Sequence, residues 1–475
     1  MGSKKNILRK MNDFFSGWER IRVVLLGSKG TGKTVFLTSV GDQLRHHVES
    51  FNLNGWSVVF DPDNDDKIQE KARKSKVPVF PYAESRAYLS KGEWPVKTKD
   101  WSVLTVPFML KKDKEERHIL LEMVDLPGER VADFAMVGRS YRDWCVWFER
   151  EFGGVTGFSP NYRPYLEKLS RCADDEDGKD AGIRVYKDYL CDEYANYALS
   201  LTPSIVKLGC DAKQRAGSKE QFKKDIEDIP VGISKELQFI PLPTESFAKG
   251  KPHNQWIKSF SKAYEAYKKV VIEPIASWCG HANCLLYFVD VLDVLRRGPE
   301  VYNSELKFAT QAFRHFRHNK PNNIFMKPII GLRDLFVTHV GGIYVIATKA
   351  DRACHQGDKM VSLAKDMFKR IVDRLGLESD KIDYRSCAAV DTSDEYVKEQ
   401  AIRARIKKGK DETGRSIIES EQYQVDPVPE KWPIGDWYSV PMNWQETFPL
   451  FAEREDCPPK QKGLDKIICK VLGLE

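Results

Sequence analysis

The run Gly27-Ser28-Lys29-Gly30-Thr31-Gly32-Lys33-Thr34 sets three glycines, a lysine and a hydroxyl residue at the spacing of a phosphate cradle. Glycines let successive backbone N–H groups curve around an anion at a helix N-terminus, where the helix dipole favours negative charge. Lys33 would then reach the β- and γ-phosphates, and the Thr34 hydroxyl would turn to Mg²⁺. The flanks agree: Val23 to Leu26 reads as a short buried strand and Val35 to Val40 as the start of a helix. The plainer reading is a glycine turn in an ordinary βα unit. The loop indicates a polyphosphate and leaves the base open.

Two further motifs address the base. Asp125-Leu126-Pro127-Gly128-Glu129 follows an apolar strand. There Asp125 would hold a Mg²⁺-bound water and the Gly128 N–H would meet a γ-phosphate, in a segment ordered by triphosphate and released by diphosphate. Thr348-Lys349-Ala350-Asp351 follows another apolar strand. Asp351 would accept from both N–H donors on the guanine edge while the Lys349 stem covers the ring; adenine lacks that donor pair and would leave a buried carboxylate unmatched. Cys387 and Ala388, within Ser386-Cys387-Ala388-Ala389, would add a backbone contact to the base. Each motif alone is a short match. In this order, each closing a buried strand, they indicate GTP and GDP with Mg²⁺. Asp290, after the apolar run Cys284 to Val289, faces the same crevice or caps a helix.

Such residues need a sheet whose strands end together. Strand patterns fall at Arg20 to Leu26, Trp101 to Lys111, His118 to Val124, Cys284 to Val289, Ile343 to Ala347 and Asp383 to Val390. The second alternates and reads as exposed on one side; the second and third form a hairpin. Helical patterns at Thr34 to His46, Ser304 to Phe316 and Lys359 to Leu375 complete an open α/β sheet with ligands at the carboxyl ends of its strands. Between the third and fourth strands lie about 150 residues, where a crossover needs about a dozen. Segments such as "SYRDWCVWFEREF" and "WIKSFSKAYEAYKKVV" carry their own apolar faces, so this stretch reads as a helical insert.

The composition fits a soluble globular chain. Its 475 residues allow two or three domains, and a net charge of +6 gives no warrant for nucleic-acid binding. Ten scattered cysteines suit a reducing compartment. No apolar run approaches the roughly 20 residues of a membrane span, so the expected location is cytoplasmic. Residues 1–19 read as an amphipathic helix, with Ile7, Leu8, Met11, Phe14, Phe15 and Trp18 on one face and Lys4, Lys5, Arg9 and Lys10 on the other. That stripe packs on the following domain, or residues 1–18 give peripheral contact with the inner face of a membrane. Gly2 opens no myristoylation motif, because Asn6 stands where Ser or Thr is needed. The acidic run Asp174 to Asp177 lacks a calcium-loop pattern. Cys279, His281 and Cys284 lead into a buried strand without a fourth ligand, and read as core rather than metal site. The "FRHFRHNK" segment reads as an exposed helix end.

"GSKGTGKTVFLTSV", "GEWPVKT", "EMVDLPGE", Tyr141 and Trp144 in "YRDW", "FVDVLDVLRRGP", "ATKADR" and "GLDKIICKVLG" together resemble the YcjX-like stress-protein GTPase family, from about residue 20 to the end. The resemblance implies a Ras-like P-loop NTPase sheet, over 20–130 and 282–475, with a large all-α insert between strands 3 and 4 at 131–281. It also implies a switch threonine. Thr98, just ahead of the second strand, would close on Mg²⁺ and γ-phosphate; its competitor Thr105 sits inside that strand. The chain departs from the family at Arg130, where Trp is common. Many such switches carry Gln after the DxxG glycine, but here stands Glu129, whose carboxylate would be repelled by phosphate unless protonated or turned away. The expected activity is therefore slow GTP hydrolysis, with Lys33, Thr98 and Glu129 nearest the chemistry and an unidentified protein effector reached through the insert. The rivals are an ATPase or P-loop kinase and a non-hydrolysing, nucleotide-stabilised scaffold at a membrane.

Overall fold

The computed structural model of the chain describes residues 17–46, 51–74, 77–96, 100–153, 159–195, 219–317, 338–339, 341–410, 416–437, 442–450 and 457–475. Thr98 and the first sixteen residues of the N-terminal helical stripe lie outside them. The chain divides into two compact units. The first takes the described residues up to Pro127, then His281–Tyr302 and His339–Glu475; the second takes Gly128–Gly280 and Asn303–Thr338.

The first unit is built on strands β1 (Glu19–Gly27), β2 (Ser57–Phe60), β3 (Ser102–Lys112), β4 (Glu115–Asp125), β5 (Cys284–Val289), β6 (Gly342–Thr348) and β7 (Ile382–Cys387). They form one sheet in the order β7-β6-β5-β1-β4-β3-β2. β1 runs parallel to both β4 and β5, and β6 runs parallel to β5 and β7. Only β3 runs against this direction, and β2, antiparallel to β3, runs with the others again. Strands β1 and β5 are buried almost end to end, as parallel strands covered by helices on both faces must be. One charged pair interrupts that core in register. Arg22 on β1 lies opposite Glu122 on β4, with Nη2 2.7 Å from Oε2.

Two corrections to the sequence reading follow. Ser57–Phe60 is a seventh strand on the edge of the sheet. And β3, read as half exposed, is buried on both sides along most of its length. The reason is its place between β2 and β4, with the helices Lys33–His46 and Pro62–Lys74 both packed against it. Thr105 is thus an interior residue of the ladder, opposite Glu122. Trp18, the last aromatic of the N-terminal stripe, packs against Ile68 and Leu120.

A second, antiparallel sheet in this unit holds β8 (Ser393–Tyr396), β9 (Ala401–Lys410), β10 (Ser416–Gln424) and β11 (Thr447–Phe448), with β9 paired to each of the others.

The second unit is mainly helical and closes on an aromatic core. Tyr141, Trp144, Phe148, Tyr165, Tyr186 and Tyr264 are among its fully buried side chains. Each buried phenol needs a partner. Tyr141 and Tyr165 donate to the adjacent carbonyls of Ile240 and Pro241, both at 2.7 Å. The acidic run opens the helix Glu176–Ala195, where the Asp175 carboxylate accepts from Gly178 N at 2.8 Å. That is a helix cap. Among the described residues, no helix is long and apolar enough to cross a membrane.

Candidate functional site

The motifs meet at one edge of the sheet. Register pairs Leu25 with Asp125, Gly27 with Phe288, Ala347 with Val289 and Thr348 with Cys387, so β1, β4, β5, β6 and β7 end side by side. Ligands bind outside the carboxyl ends of such strands because the loops leaving them diverge and open a crevice.

The loop after β1 is shaped by glycine. Gly27 has φ 151°, and a Cβ there would lie 2.5 Å from the Phe288 carbonyl oxygen on β5. Gly30 and Gly32 have φ 84° and 89°, a backbone that other residues rarely adopt, and face open space. The loop delivers the chain into the helix Lys33–His46, whose first turn carries no acidic residue. Lys33 is only 8% exposed. Its ammonium folds back over the loop, donating to the Gly27 carbonyl at 2.7 Å and the Ser28 carbonyl at 3.1 Å. Thr31 Oγ1 also donates to the Ser28 carbonyl, at 2.9 Å. These bonds hold the cation beside a curved run of peptide groups.

Thr34 Oγ1 lies 3.3 Å from Asp125 Oδ2, and Asp125 is 1% exposed. A hydroxyl and a buried carboxylate brought together are the hard oxygen donors that Mg²⁺ selects, so this pair would fit that cation. Gly128 and Glu129 open the 3₁₀ segment Gly128–Met136 in the second unit. Arg130 there pairs with Asp133 at 3.5 Å.

At the end of β6, Thr348 Oγ1 donates to the Val289 carbonyl at 3.3 Å. Lys349 adopts a left-handed backbone with φ 59° and places Nζ 2.6 Å from Asp290 Oδ2. Asp290 has two roles, since its Oδ1 also accepts from Asp293 N at 3.0 Å and caps the helix Val291–Arg297. Burial alone would raise its pKa, but Lys349 and Arg352 outweigh it and hold the carboxyl below its ordinary range.

Asp351 is 3% exposed. Its Oδ2 accepts from Thr392 N at 3.1 Å and from the Thr392 hydroxyl. Burial pushes its pKa up, while the Thr392 donors, Arg352 and Lys462 work the other way. Cys387 is buried at the end of β7, where burial pushes its thiol up.

Ala388 requires a correction. Its N–H donates to the Lys462 carbonyl at 2.9 Å, in an isolated antiparallel bridge with the C-terminal segment. An amide so engaged is not available to a base. The next residue differs: Ala389 N–H meets no acceptor among the described residues, while its carbonyl accepts from Ser39 Oγ at 2.6 Å.

The sequence reading missed Thr392 and its partner Thr447, whose hydroxyls lie 2.8 Å apart. No local pattern marks either one. They meet only because β11 pairs with β9, and β9 with β8, which Thr392 precedes.

Comparison with known proteins covers almost the whole chain. The model of the YcjX-like family (DUF463) matches residues 21–473. A protein named Ras-like GTPase YcjX from Escherichia coli (strain K12) is 23% identical over 396 residues, 78% of each chain. Its namesake from Shewanella oneidensis is 22% identical over 400 residues, covering 78% of this chain and 76% of the relative.

Proposed function

This chain belongs to the YcjX-like family, and from that premise we propose that it is a Mg²⁺-dependent GTP-binding protein that hydrolyses GTP slowly. The first unit is a Ras-like nucleotide domain and the helical unit its insert, which relays nucleotide state to a protein effector. A stress response is the setting the family resemblance implies. The observation that carries the reading is the common edge of β1, β4, β6 and β7, where glycine loop, Thr34–Asp125 pair and buried Asp351 come together.

The phosphates lie along Ser28 to Thr34, with loop amides and Lys33 facing the oxygens that gain charge in phosphoryl transfer. Thr34 and Asp125, with Thr98 as a further ligand, would hold Mg²⁺, which would supply neutralisation of phosphate charge. The guanine edge meets Asp351, its ring lies along the Lys349 stem, and its carbonyl meets the Ala389 N–H rather than that of Ala388. Glu129, at the position after the DxxG glycine, orients water poorly because a carboxylate is repelled by phosphate. That is the reason for slow turnover.

Labelled GTP competed with GTP, GDP and ATP, followed by single-turnover hydrolysis, tests the reading. The expected result is competition by both guanine nucleotides, little by ATP, and slow phosphate release. Equal competition by ATP would make the protein an ATPase or kinase. Guanine binding without release would make it a scaffold.

A further inference from the structure

The buried hydroxyl pair beside Asp351 has a direction. Thr392 Oγ1 lies against both Asp351 Oδ2 and Thr447 Oγ1, but a hydroxyl carries one proton. A carboxylate only accepts, so the Thr392 proton belongs to Asp351. The Thr447 proton must then point to Thr392 Oγ1. The Thr447 main chain is engaged as well: its carbonyl accepts from the Trp94 indole N–H at 2.9 Å. Both threonines are buried, at 1% and 4% exposure, so no solvent competes for these bonds.

Counting lone pairs shows what the arrangement leaves. A carboxylate has about four acceptor sites. Thr392 fills two on Oδ2 through its N–H and hydroxyl. Oδ1 has no protein donor among the described residues. The remaining sites match in number the two N–H groups of a guanine edge, and the Thr392 bonds fix the plane in which they lie.

We propose that Thr392 and Thr447 are positioning residues for base discrimination: Thr392 orients the Asp351 carboxylate, and Thr447 orients Thr392 while anchoring Trp94. This rests on the guanine reading above and extends it to residues 41 and 55 positions apart along the chain. It also ties the base reader to the segment Gly92–Val96, which Arg405 holds from the other side by donating to the Gly92 carbonyl at 2.9 Å.

The test compares GTP with ITP, whose base keeps N1–H but lacks the exocyclic amine. Binding of both, and of ATP, is measured on wild type, Thr392→Val, Thr392→Ser, Thr447→Val and Trp94→Phe, with thermal unfolding as a check on folding. Thr392→Val is expected to weaken GTP about tenfold and ITP less, lowering the GTP:ITP ratio. Thr392→Ser restores the ratio. Thr447→Val and Trp94→Phe shift it the same way by smaller factors.

The pH profile supplies a second readout. Binding needs the ionised carboxylate, so affinity is full above the Asp351 pKa and lost as pH falls through it. Around Asp351 stand Arg352, Lys462, Asp391, Cys387 and Tyr423. Removing the Thr392 hydroxyl takes away one donor that favours the charged form, so the loss moves to higher pH in Thr392→Val. A wild-type chain without guanine preference would overturn the functional reading and this inference with it. Guanine preference in wild type, with an unchanged ratio and pH profile in folded Thr392→Val and Thr447→Val, would overturn the inference alone.

Discussion

On the proposed guanine reading, Asp351 is the residue on which the choice of base turns. A carboxylate offers acceptors only, which suits the N1–H and amine of guanine. In Asp351→Asn one acceptor becomes a donor. Xanthine offers N1–H beside a carbonyl at the position of the lost amine, so it fits the variant as guanine fits the wild type. A hydrogen bond to a charged group is worth roughly 1.5–3 kcal/mol. Guanine should therefore lose at least about tenfold in affinity, at 1.4 kcal/mol per decade. Competition of labelled GTP by GTP, XTP and ATP on both proteins reads this out. An unchanged ranking would mean that Asp351 does not read the base.

At the scale of the element, the loop between β1 and the helix Lys33–His46 depends on how closely β1 and β5 approach. The missing side chain of Gly27 leaves room for the Phe288 carbonyl, 2.5 Å from where a Cβ would lie. Gly27→Ala should force β1 away from β5 and destabilise the first unit by about 1–3 kcal/mol, as overpacking does. Gly30→Ala meets no atom, and its cost of about 1–2 kcal/mol is that of a left-handed backbone alone. Thermal unfolding of the two variants separates crowding from conformation. Equal losses, with equal phosphate affinity, would show that strand spacing does not shape the loop. Much of this element was legible, because glycine spacing and a buried apolar run need no distant partner. Ser57–Phe60 was not, since four residues with three exposed or half-exposed positions give too short a pattern. The alternation of β3 misled for the opposite reason, as two helices cover both of its faces. Ala388 misled because its N–H is taken by Lys462, 74 residues away in sequence. The relation between Thr392 and Thr447 lies wholly in the pairing of the second sheet, which no window of sequence contains.

At the scale of the molecule, each unit has its own apolar core, and the chain passes directly from one to the other after the DxxG aspartate. Asp125 ends β4 in the first unit, and three residues on, Gly128–Met136 is already part of the second. Within that second unit a helix and the turn after it reach this segment and Arg139 just beyond it. The Tyr267 hydroxyl donates to Asp133 Oδ1 at 3.1 Å, the Tyr264 hydroxyl to the Arg139 carbonyl at 3.2 Å, and Lys268 Nζ to the same carbonyl at 2.9 Å. Tyr267 ends the helix Trp256–Tyr267, and the π-helical turn Lys268–Ile272 follows. A π turn carries one residue more than an α turn and is a common place for a helix to change register at functional sites. If triphosphate draws on the DxxG segment, the pull arrives at this turn through Tyr267. Amide hydrogen exchange over 256–272 should then differ between the GTP- and GDP-bound protein. Tyr267→Phe removes the bond to Asp133 while keeping the ring, at a cost of about 1.5–3 kcal/mol for a hydrogen bond to a charged group. The variant should bind both nucleotides as wild type does, yet lose most of the difference in exchange. Identical protection of 256–272 with GTP and GDP in the wild type would leave a nucleotide-binding domain whose helical partner does not sense the ligand.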